Sequence, residues 1–135
     1  MIAVDSSVVI AGFASWHEHH KAASNVLRRG PRLVAYAAVE TYSVLTRLPP
    51  PHRAAAQLVE EFIRQRFPEP LLGLPETGYR QLLMRMAEAP VLGGGVYDAL
   101  IGFTAAHHGA TLVTLDGRAG RIYDAVGAAT EAVEA

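Results

Sequence analysis

Residues 97–116, YDALIGFTAAHHGATLVTLD, decide the fold of this chain. The apolar spacing over 97–108 predicts a helix, and Gly109 directly after it is a typical helix end. Residues 111–115 then predict a buried strand, and Asp116 follows that strand. The stretch therefore predicts a helix that returns directly into a strand with an acidic residue at its carboxyl end.

Short apolar runs alternate with helical segments along the rest of the chain. Further strands are expected at 2–4, 33–35 and 71–74, with an edge strand at 128–133. Helices are expected over 8–13, 36–48, 53–66, 76–87 and 118–126, and an S-x-x-E capping box at 15–18 predicts one more helix to about Leu27. This alternation argues for an α/β fold with a parallel sheet of four to five strands, covered by helices on both faces. One domain spanning residues 1–135 is expected.

The composition excludes several classes of protein. Half of the 135 residues are hydrophobic and 19% are charged, which is typical of a globular chain. No apolar run approaches the roughly 20 residues that a membrane-spanning helix needs, so such a helix is not expected. The N-terminus lacks a positively charged segment, so a signal peptide is not expected either. The sequence has no cysteine, which excludes disulfides and thiolate chemistry and fits a cytoplasmic location.

The balance of charge is informative about partners. The net charge of −1 is not that of a typical non-specific nucleic-acid binder. Eleven of the twelve basic residues are arginine and the other is Lys21. Arginine binds phosphate bidentately, although codon usage in a GC-rich genome would produce the same bias.

Four acidic residues stand at equivalent places in the predicted fold. Asp5 and Asp116 each follow a strand, Asp98 begins a helix, and Glu40 lies one turn into the helix after the second strand. Open parallel sheets bind ligands at the carboxyl ends of their strands, so these carboxylates are expected to face one crevice. Like charges raise one another's pKa, and a hard cation such as Mg²⁺ or Mn²⁺ relieves that cost. The pattern predicts metal-assisted chemistry on phosphate.

Each acid also has an ordinary structural explanation. Asp5 and Asp116 could be helix N-caps. Asp98 could be a first-turn acid that the helix dipole favours, and Glu40 could be a solvated helix residue. The recurrence of all four at one topological place favours the joint site.

Four blocks of the sequence resemble one known family. IAVDSSVVIAGF (2–13), AAVETYSVLTRL (37–48), VYDALIGFTAAHHGATLVTLD (96–116) and GRAGRIYDAVG (117–127) are similar to the PIN domain and, within it, to the VapC ribonuclease toxins of prokaryotic toxin–antitoxin pairs. The resemblance extends over essentially the whole chain, although residues 53–88 carry little of it. It implies a PIN-like three-layer α/β/α fold around the parallel sheet.

The resemblance also implies roles for particular residues. It assigns a Mg²⁺ or Mn²⁺ site to Asp5, Glu40, Asp98 and Asp116, with the three aspartates as the more direct ligands. Glu40 would bind through water or orient the hydrolytic water. Ser6 and Thr114 match polar positions that line such sites. Many PIN domains have an asparagine two residues after the first acid, where this chain has Ser7.

The activity and partners implied are those of a metal-dependent endoribonuclease, the toxin half of a type II toxin–antitoxin pair. The chain would act on RNA, form a homodimer, and bind a cognate antitoxin that covers the acidic crevice. Arg118 and Arg121 are candidates for contacts with RNA phosphates, against the alternative of a solvated face. For Trp16, Tyr36 and Tyr42, packing in the core or at a dimer interface is preferred over base stacking.

Two other classes of function remain as alternatives. A catalytically silent, PIN-shaped binding module would have the same fold. A phosphatase or receiver-like protein fits less well. Haloacid-type phosphatases need an aspartate where Ser7 stands, and receiver domains need a lysine after a late strand, whereas the only lysine is Lys21.

Overall fold

The computed structural model describes residues 1–133, so the last two residues of the expected 1–135 domain lie outside the described part. Within it are four strands: β1 (Ile2–Val4), β2 (Arg32–Leu33), β3 (Thr111–Thr114) and β4 (Thr130–Ala132). The helices described there are α1 (Ser6–Phe13), α2 (His20–Leu27), α3 (Ala35–Arg47), α4 (Ala56–Arg66), α5 (Glu76–Glu88), α6 (Gly95–His107) and α7 (Gly120–Ala125).

The four strands form one parallel sheet in the order β2-β1-β3-β4. Val4 of β1 pairs with Leu33 on one side and with Val113 on the other, and Val113 also aligns with Glu131 of the edge strand. Helices pack around this sheet in the three-layer α/β/α arrangement expected from the sequence, which is thereby confirmed. Because all four strands are parallel, their carboxyl ends lie at one edge of the sheet. Asp5 follows β1 and Asp116 follows β3, so both lie at that edge.

The core lies on both faces of the central strands. Ala3, Val4, Leu112 and Val113 are fully buried. They belong to one cluster with apolar side chains of several helices, among them Ile101 of α6. A sheet covered on both faces requires consecutive apolar residues rather than alternation, which explains the short apolar runs in the sequence.

The strand expected at 71–74 is reduced to a single bridge. Leu72 pairs in parallel with Val34 at the outer side of β2. Pro70 and Pro75 flank this segment, and proline has no N–H with which to extend a ladder. The sheet is therefore four-stranded in the described residues, at the lower end of the expected range.

The capping box expected at 15–18 is wrong. Two tight turns occupy this segment, with the N–H of His17 donating to the Ala14 carbonyl and the N–H of His20 donating to the His17 carbonyl. Helix α2 begins only at His20, and its N-cap residue, His19, makes no side-chain capping bond. The residue types of a capping box are present, but the backbone of residues 14–20 forms turns and not the start of a helix.

The long helix α6 begins two residues earlier than the sequence pattern indicated. Gly95 is its first residue, while Gly93, with φ +55°, forms the turn before it. The helix ends as expected, since Gly109 follows the C-cap with φ +67°, a conformation that glycine adopts without a steric penalty. In the described part of the chain, no helix is both long enough and apolar enough to cross a membrane.

Helices α6 and α7 pack closely because α6 has a glycine at their contact. A Cβ added at Gly102 would lie 2.8 Å from Cδ1 of Tyr123 and 3.1 Å from a methyl carbon of Val126. Both of these α7-side residues are buried. Gly102 therefore sets how deeply the Tyr123 ring can enter between the helix and the sheet.

Replacement of Gly102 by alanine is expected to lower the free energy of unfolding by about 1–3 kcal/mol, because overpacking outweighs the gain in helix propensity. Urea denaturation of the purified variant measures this. Gly94→Ala is the matched control, since nothing lies within 4 Å of a Cβ at that position and its φ of −63° suits alanine. A Gly102→Ala protein as stable as the Gly94→Ala protein would contradict the packing argument.

Candidate acidic active site

Asp5 is a buried carboxylate at the start of α1, only 2% exposed. As the N-cap residue it accepts hydrogen bonds on Oδ1 from the backbone N–H groups of Ser7 (3.1 Å) and Val8 (3.4 Å). The Ser7 hydroxyl donates to the same oxygen at 2.5 Å. The capping role considered from the sequence is therefore real, and it fixes one oxygen of the carboxylate.

The other oxygen of Asp5 is held from the opposite side. Oδ2 accepts hydrogen bonds from the Thr114 hydroxyl at 2.5 Å and from the Tyr123 hydroxyl at 2.8 Å. Burial raises the pKa of Tyr123, and the charge of Asp5 and the hydrogen bond to it raise that pKa further, so the phenol remains a donor. Asp5 thus joins α1, β3 and α7 through hydrogen bonds to its side chain.

The two hydroxyls that contact Asp5 also hold the chain beyond β3. The Ser7 Oγ accepts from the N–H of Leu115 at 2.9 Å, and the Thr114 Oγ1 accepts from the N–H of Asp116 at 2.9 Å. Each hydroxyl therefore accepts from one backbone amide and donates to Asp5. This arrangement places the backbone of Asp116 relative to Asp5.

Glu40 and Asp98 reach the same end of the sheet from two helices. The Ser6 hydroxyl, next to Asp5 in sequence, donates a hydrogen bond to Oε1 of Glu40. Asp98 lies half-buried in the first turn of α6. Burial raises the pKa of Asp98, and the negative charges of Asp116, Glu40 and Asp5 raise it further. We call these four residues the acidic edge.

The acidic edge has the chemistry of a cation site without a preformed cage. Its donors are all carboxylate oxygens, which Mg²⁺ and Mn²⁺ prefer. Burial, followed by the negative charges of Asp116, Glu40 and Asp5, raises the pKa of Asp98, and a bound cation would oppose both effects. Among residues 1–133, however, no three His, Asp or Glu side chains are grouped closely enough to hold an ion as they stand. A cation would have to draw the side chains together.

Asp116 and the two arginines after it are more exposed. The N-cap of α7 is Ala119, so Asp116 does not cap that helix as the alternative explanation required. Its Oδ1 accepts a hydrogen bond from the N–H of Arg118, whose guanidinium Nε lies 3.9 Å from the same oxygen. The Arg118 side chain is 98% exposed, and Arg121 is also exposed.

Two residues of this network were missed by reasoning from the sequence. Ser7 was noted only as a departure from the family's asparagine, yet it contacts Asp5 with both its backbone and its side chain. Tyr123 was not considered at all. The one available signal was its residue type, because a tyrosine buried in a short helix needs a partner for its hydroxyl.

The comparisons with known proteins agree with the fold and identify the family. A family model of the PIN domain matches residues 2–125. The chain is 53% identical over 124 residues to Ribonuclease VapC40 of Mycobacterium tuberculosis, in strains CDC 1551 / Oshkosh and ATCC 25618 / H37Rv, with 92% of each chain covered. It is 39% identical over 127 residues to Ribonuclease VapC27 of strain ATCC 25618 / H37Rv, covering 93% of this chain and 92% of that protein.

The chain therefore belongs to the PIN-domain family and is of the VapC type. The resemblance stated from the four sequence blocks is confirmed. The segment that carried little of that resemblance, residues 53–88, falls within the matched range.

In metal-free protein, Asp98→Asn is expected to raise the thermal stability at pH 7. Because the folded state raises the pKa of Asp98, this residue costs no stability below the pKa of the unfolded chain, about 4. The cost develops as the pH rises from the pKa of the unfolded chain through the higher pKa of the folded state, and is complete above the latter.

Melting curves recorded in EDTA at pH 7 and at pH 3.5 measure this effect. The gain in Tm of Asp98→Asn over wild type should be present at pH 7 and shrink at pH 3.5. Asp124→Asn is the control, since Asp124 is exposed on α7. A variant less stable than wild type at pH 7 would show that Asp98 is not under electrostatic stress.

Proposed function

We propose that this protein is a metal-dependent endoribonuclease that acts as the toxin of a type II toxin–antitoxin pair. The observation that carries the proposal is the acidic edge: Asp5 and Asp116 follow β1 and β3, and Glu40 of α3 and Asp98 of α6 reach the same end of this PIN-family sheet. The relatives named as VapC ribonucleases support RNA as the substrate. Such an enzyme would meet its RNA in the cytoplasm.

Asp5, Asp98 and Asp116 are the residues that would hold a Mg²⁺ or Mn²⁺ ion, with Glu40 binding directly or through water. When bound, the ion would polarise the scissile phosphate and lower the pKa of a coordinated water. Both oxygens of Asp5 already accept hydrogen bonds, but hydroxyl donors can rotate. The hydroxyls of Ser7 and Thr114 are the groups that could free a lone pair on this carboxylate.

The chain's own groups would orient the reacting water and the substrate. Glu40 is fixed through one oxygen by Ser6, so its second oxygen is available to orient the hydrolytic water. Water would add to phosphorus and the bond from phosphorus to the 3′ oxygen would break, leaving 5′-phosphate and 3′-hydroxyl ends. The exposed Arg118 and Arg121 would contact phosphates of the RNA on either side of the break.

Incubation of purified wild-type protein with RNA and Mg²⁺ or Mn²⁺ is expected to give cleavage, while Asp5→Asn and Asp98→Asn lose at least about a hundredfold in rate because each removes a cation ligand. Sequencing of the RNA ends gives the end chemistry. Asp124→Asn, which removes a carboxylate outside the acidic edge, should cleave like wild type. Equal activity in wild type, Asp5→Asn and Asp98→Asn would exclude the proposal.

Calorimetric titration with Mn²⁺ separates this function from a silent binding module. A nuclease should bind the ion in the wild-type form and more weakly as Asp98→Asn. A folded wild-type protein that neither binds Mn²⁺ nor cuts RNA would support the silent module instead.

We propose further that the chain forms a homodimer and is neutralised by an antitoxin that covers the acidic edge. Uncompensated carboxylates attract a basic side chain, and a lysine or arginine inserted there would occupy the space of the cation. The antitoxin would then block cleavage by the same electrostatics that favour the metal.

Co-expression with the product of the neighbouring gene should yield a complex that co-purifies with this chain and cleaves RNA at least about tenfold more slowly than the chain alone. Sedimentation of the free chain gives its oligomeric state. A monomer that ignores the neighbouring gene product would count against both the dimer and the antitoxin.

A further inference from the structure

Two tyrosines stack where α3 and α6 begin. The rings of Tyr36 and Tyr97 have centroids 5.6 Å apart and planes inclined by 11°. Tyr36 is partly buried and packs against the core, whereas Tyr97 is 51% exposed. The pair therefore has a supported inner ring and an outer ring that solvent can reach.

The pair lies beside the acidic edge. Tyr36 stands four residues before Glu40 on α3, which puts both on one face of the helix, and Tyr97 directly precedes Asp98. Helix α3 starts at the carboxyl end of β2, and α6 starts at that same edge because its other end leads into β3. Burial raises the pKa of Tyr36, and the charges of Glu40, Tyr97 and Asp98 raise it further.

A second exposed aromatic pair provides a contrast. Trp16 and His52 have ring centroids 4.1 Å apart, but they follow the carboxyl ends of α1 and α3. At about 1.5 Å per residue, the 13-residue helix α3 separates its two ends by about 20 Å. Of these two pairs, only the tyrosines stand where an RNA strand bound at the acidic edge would pass.

We propose that Tyr36 and Tyr97 form a base-binding platform, on which the exposed ring of Tyr97 stacks against a nucleobase next to the scissile phosphate. This inference rests on the proposed nuclease function and adds a substrate subsite to it. Tyr36 is a positioning residue, since its ring lies between the core and the ring of Tyr97 and stacks on the latter. Tyr36 packs against the core, as preferred from the sequence, and in this proposal it also supports the ring of Tyr97.

The electrostatics of the site favour such a platform. Carboxylates repel the phosphate backbone, so without a cation the phosphate contacts proposed for Arg118 and Arg121 are opposed by the charge of the acidic edge. Stacking of a base on an aromatic ring does not depend on net charge and tolerates different bases. A platform one residue from Asp98 would therefore bind the strand where the electrostatics oppose binding.

The test compares Tyr97→Leu, Tyr97→Phe and Tyr79→Leu. Tyr79 is 48% exposed on α5, which makes it a matched control for loss of an exposed tyrosine. The probe is a fluorescent single-stranded RNA of about 12 nucleotides, and its Kd is measured in EDTA so that cleavage is absent. Tyr97→Leu should weaken binding about tenfold, while Tyr97→Phe and Tyr79→Leu should bind like wild type.

An abasic scan of the same probe locates the stacked base. Removal of one particular base from the probe should weaken its binding to wild type about tenfold. Removal of that same base should not weaken its binding to Tyr97→Leu further. In cleavage assays the same variant should raise KM and leave kcat within about twofold. Its oligomeric state by sedimentation should match wild type.

Three results would overturn the platform. In the first, Tyr97→Leu binds the probe as tightly as wild type does. In the second, removal of the stacked base weakens binding to Tyr97→Leu as much as it weakens binding to wild type. In the third, wild type does not bind the probe at all. A change of oligomeric state in Tyr97→Leu that is absent from Tyr97→Phe would assign the ring to packing between copies of the chain instead. Because binding is measured without metal, a wild type that binds RNA but never cuts it would refute the nuclease proposal and not the platform.

Discussion

The structure depends on one buried charge, the carboxylate of Asp5. A buried carboxylate without donors would be strongly destabilising, so the hydrogen bonds to Asp5 stabilise the folded chain. The donors come from the first turn of α1, from Thr114 at the end of β3 and from Tyr123 in α7. Elements more than a hundred residues apart in sequence are thereby fixed around one side chain. The hydrogen bonds of Asp5 therefore link the site to the pairing of β1 with β3.

The same hydrogen bonds constrain the chemistry of the site. Asp5 is held by donors on both oxygens, so its position is well defined before any ligand arrives. Asp98 has the opposite character, because burial and three neighbouring charges raise its pKa. One acid therefore provides a fixed point and another provides electrostatic stress that a cation would relieve. Functional sites commonly retain such stress, and the surrounding fold bears its cost.

The sequence allowed prediction of those features that depend on local pattern. The return from α6 through Gly109 into β3 follows from apolar spacing and a glycine end, and the four acids follow from where the strands end. The strand at 71–74 could not be assessed in this way, since its extent depends on flanking prolines and on the short length of β2. The capping box failed for a similar reason, because turns bound by backbone hydrogen bonds took precedence over residue type.

Contacts between distant side chains were beyond the reach of sequence reasoning. Nothing in the segment GRIYDAV indicates that the Tyr123 hydroxyl reaches Asp5, 118 positions away. That contact requires Gly102 on a third element, whose missing side chain admits the ring. Prediction from pattern could place the acids at one end of the sheet, whereas the groups that hold them are defined only by packing.

In the proposed nuclease, the juxtaposition of acids and aromatic rings at one edge would meet opposing requirements of substrate and cation. Carboxylates concentrate a divalent ion but repel the phosphodiester on which that ion would act. A chain with a net charge of −1 has little general attraction for RNA to offset this repulsion. Affinity that is insensitive to charge is therefore most useful within one nucleotide of the reacting phosphate. Tyr97, adjacent to Asp98 and stacked on Tyr36, would supply such affinity in the proposed enzyme.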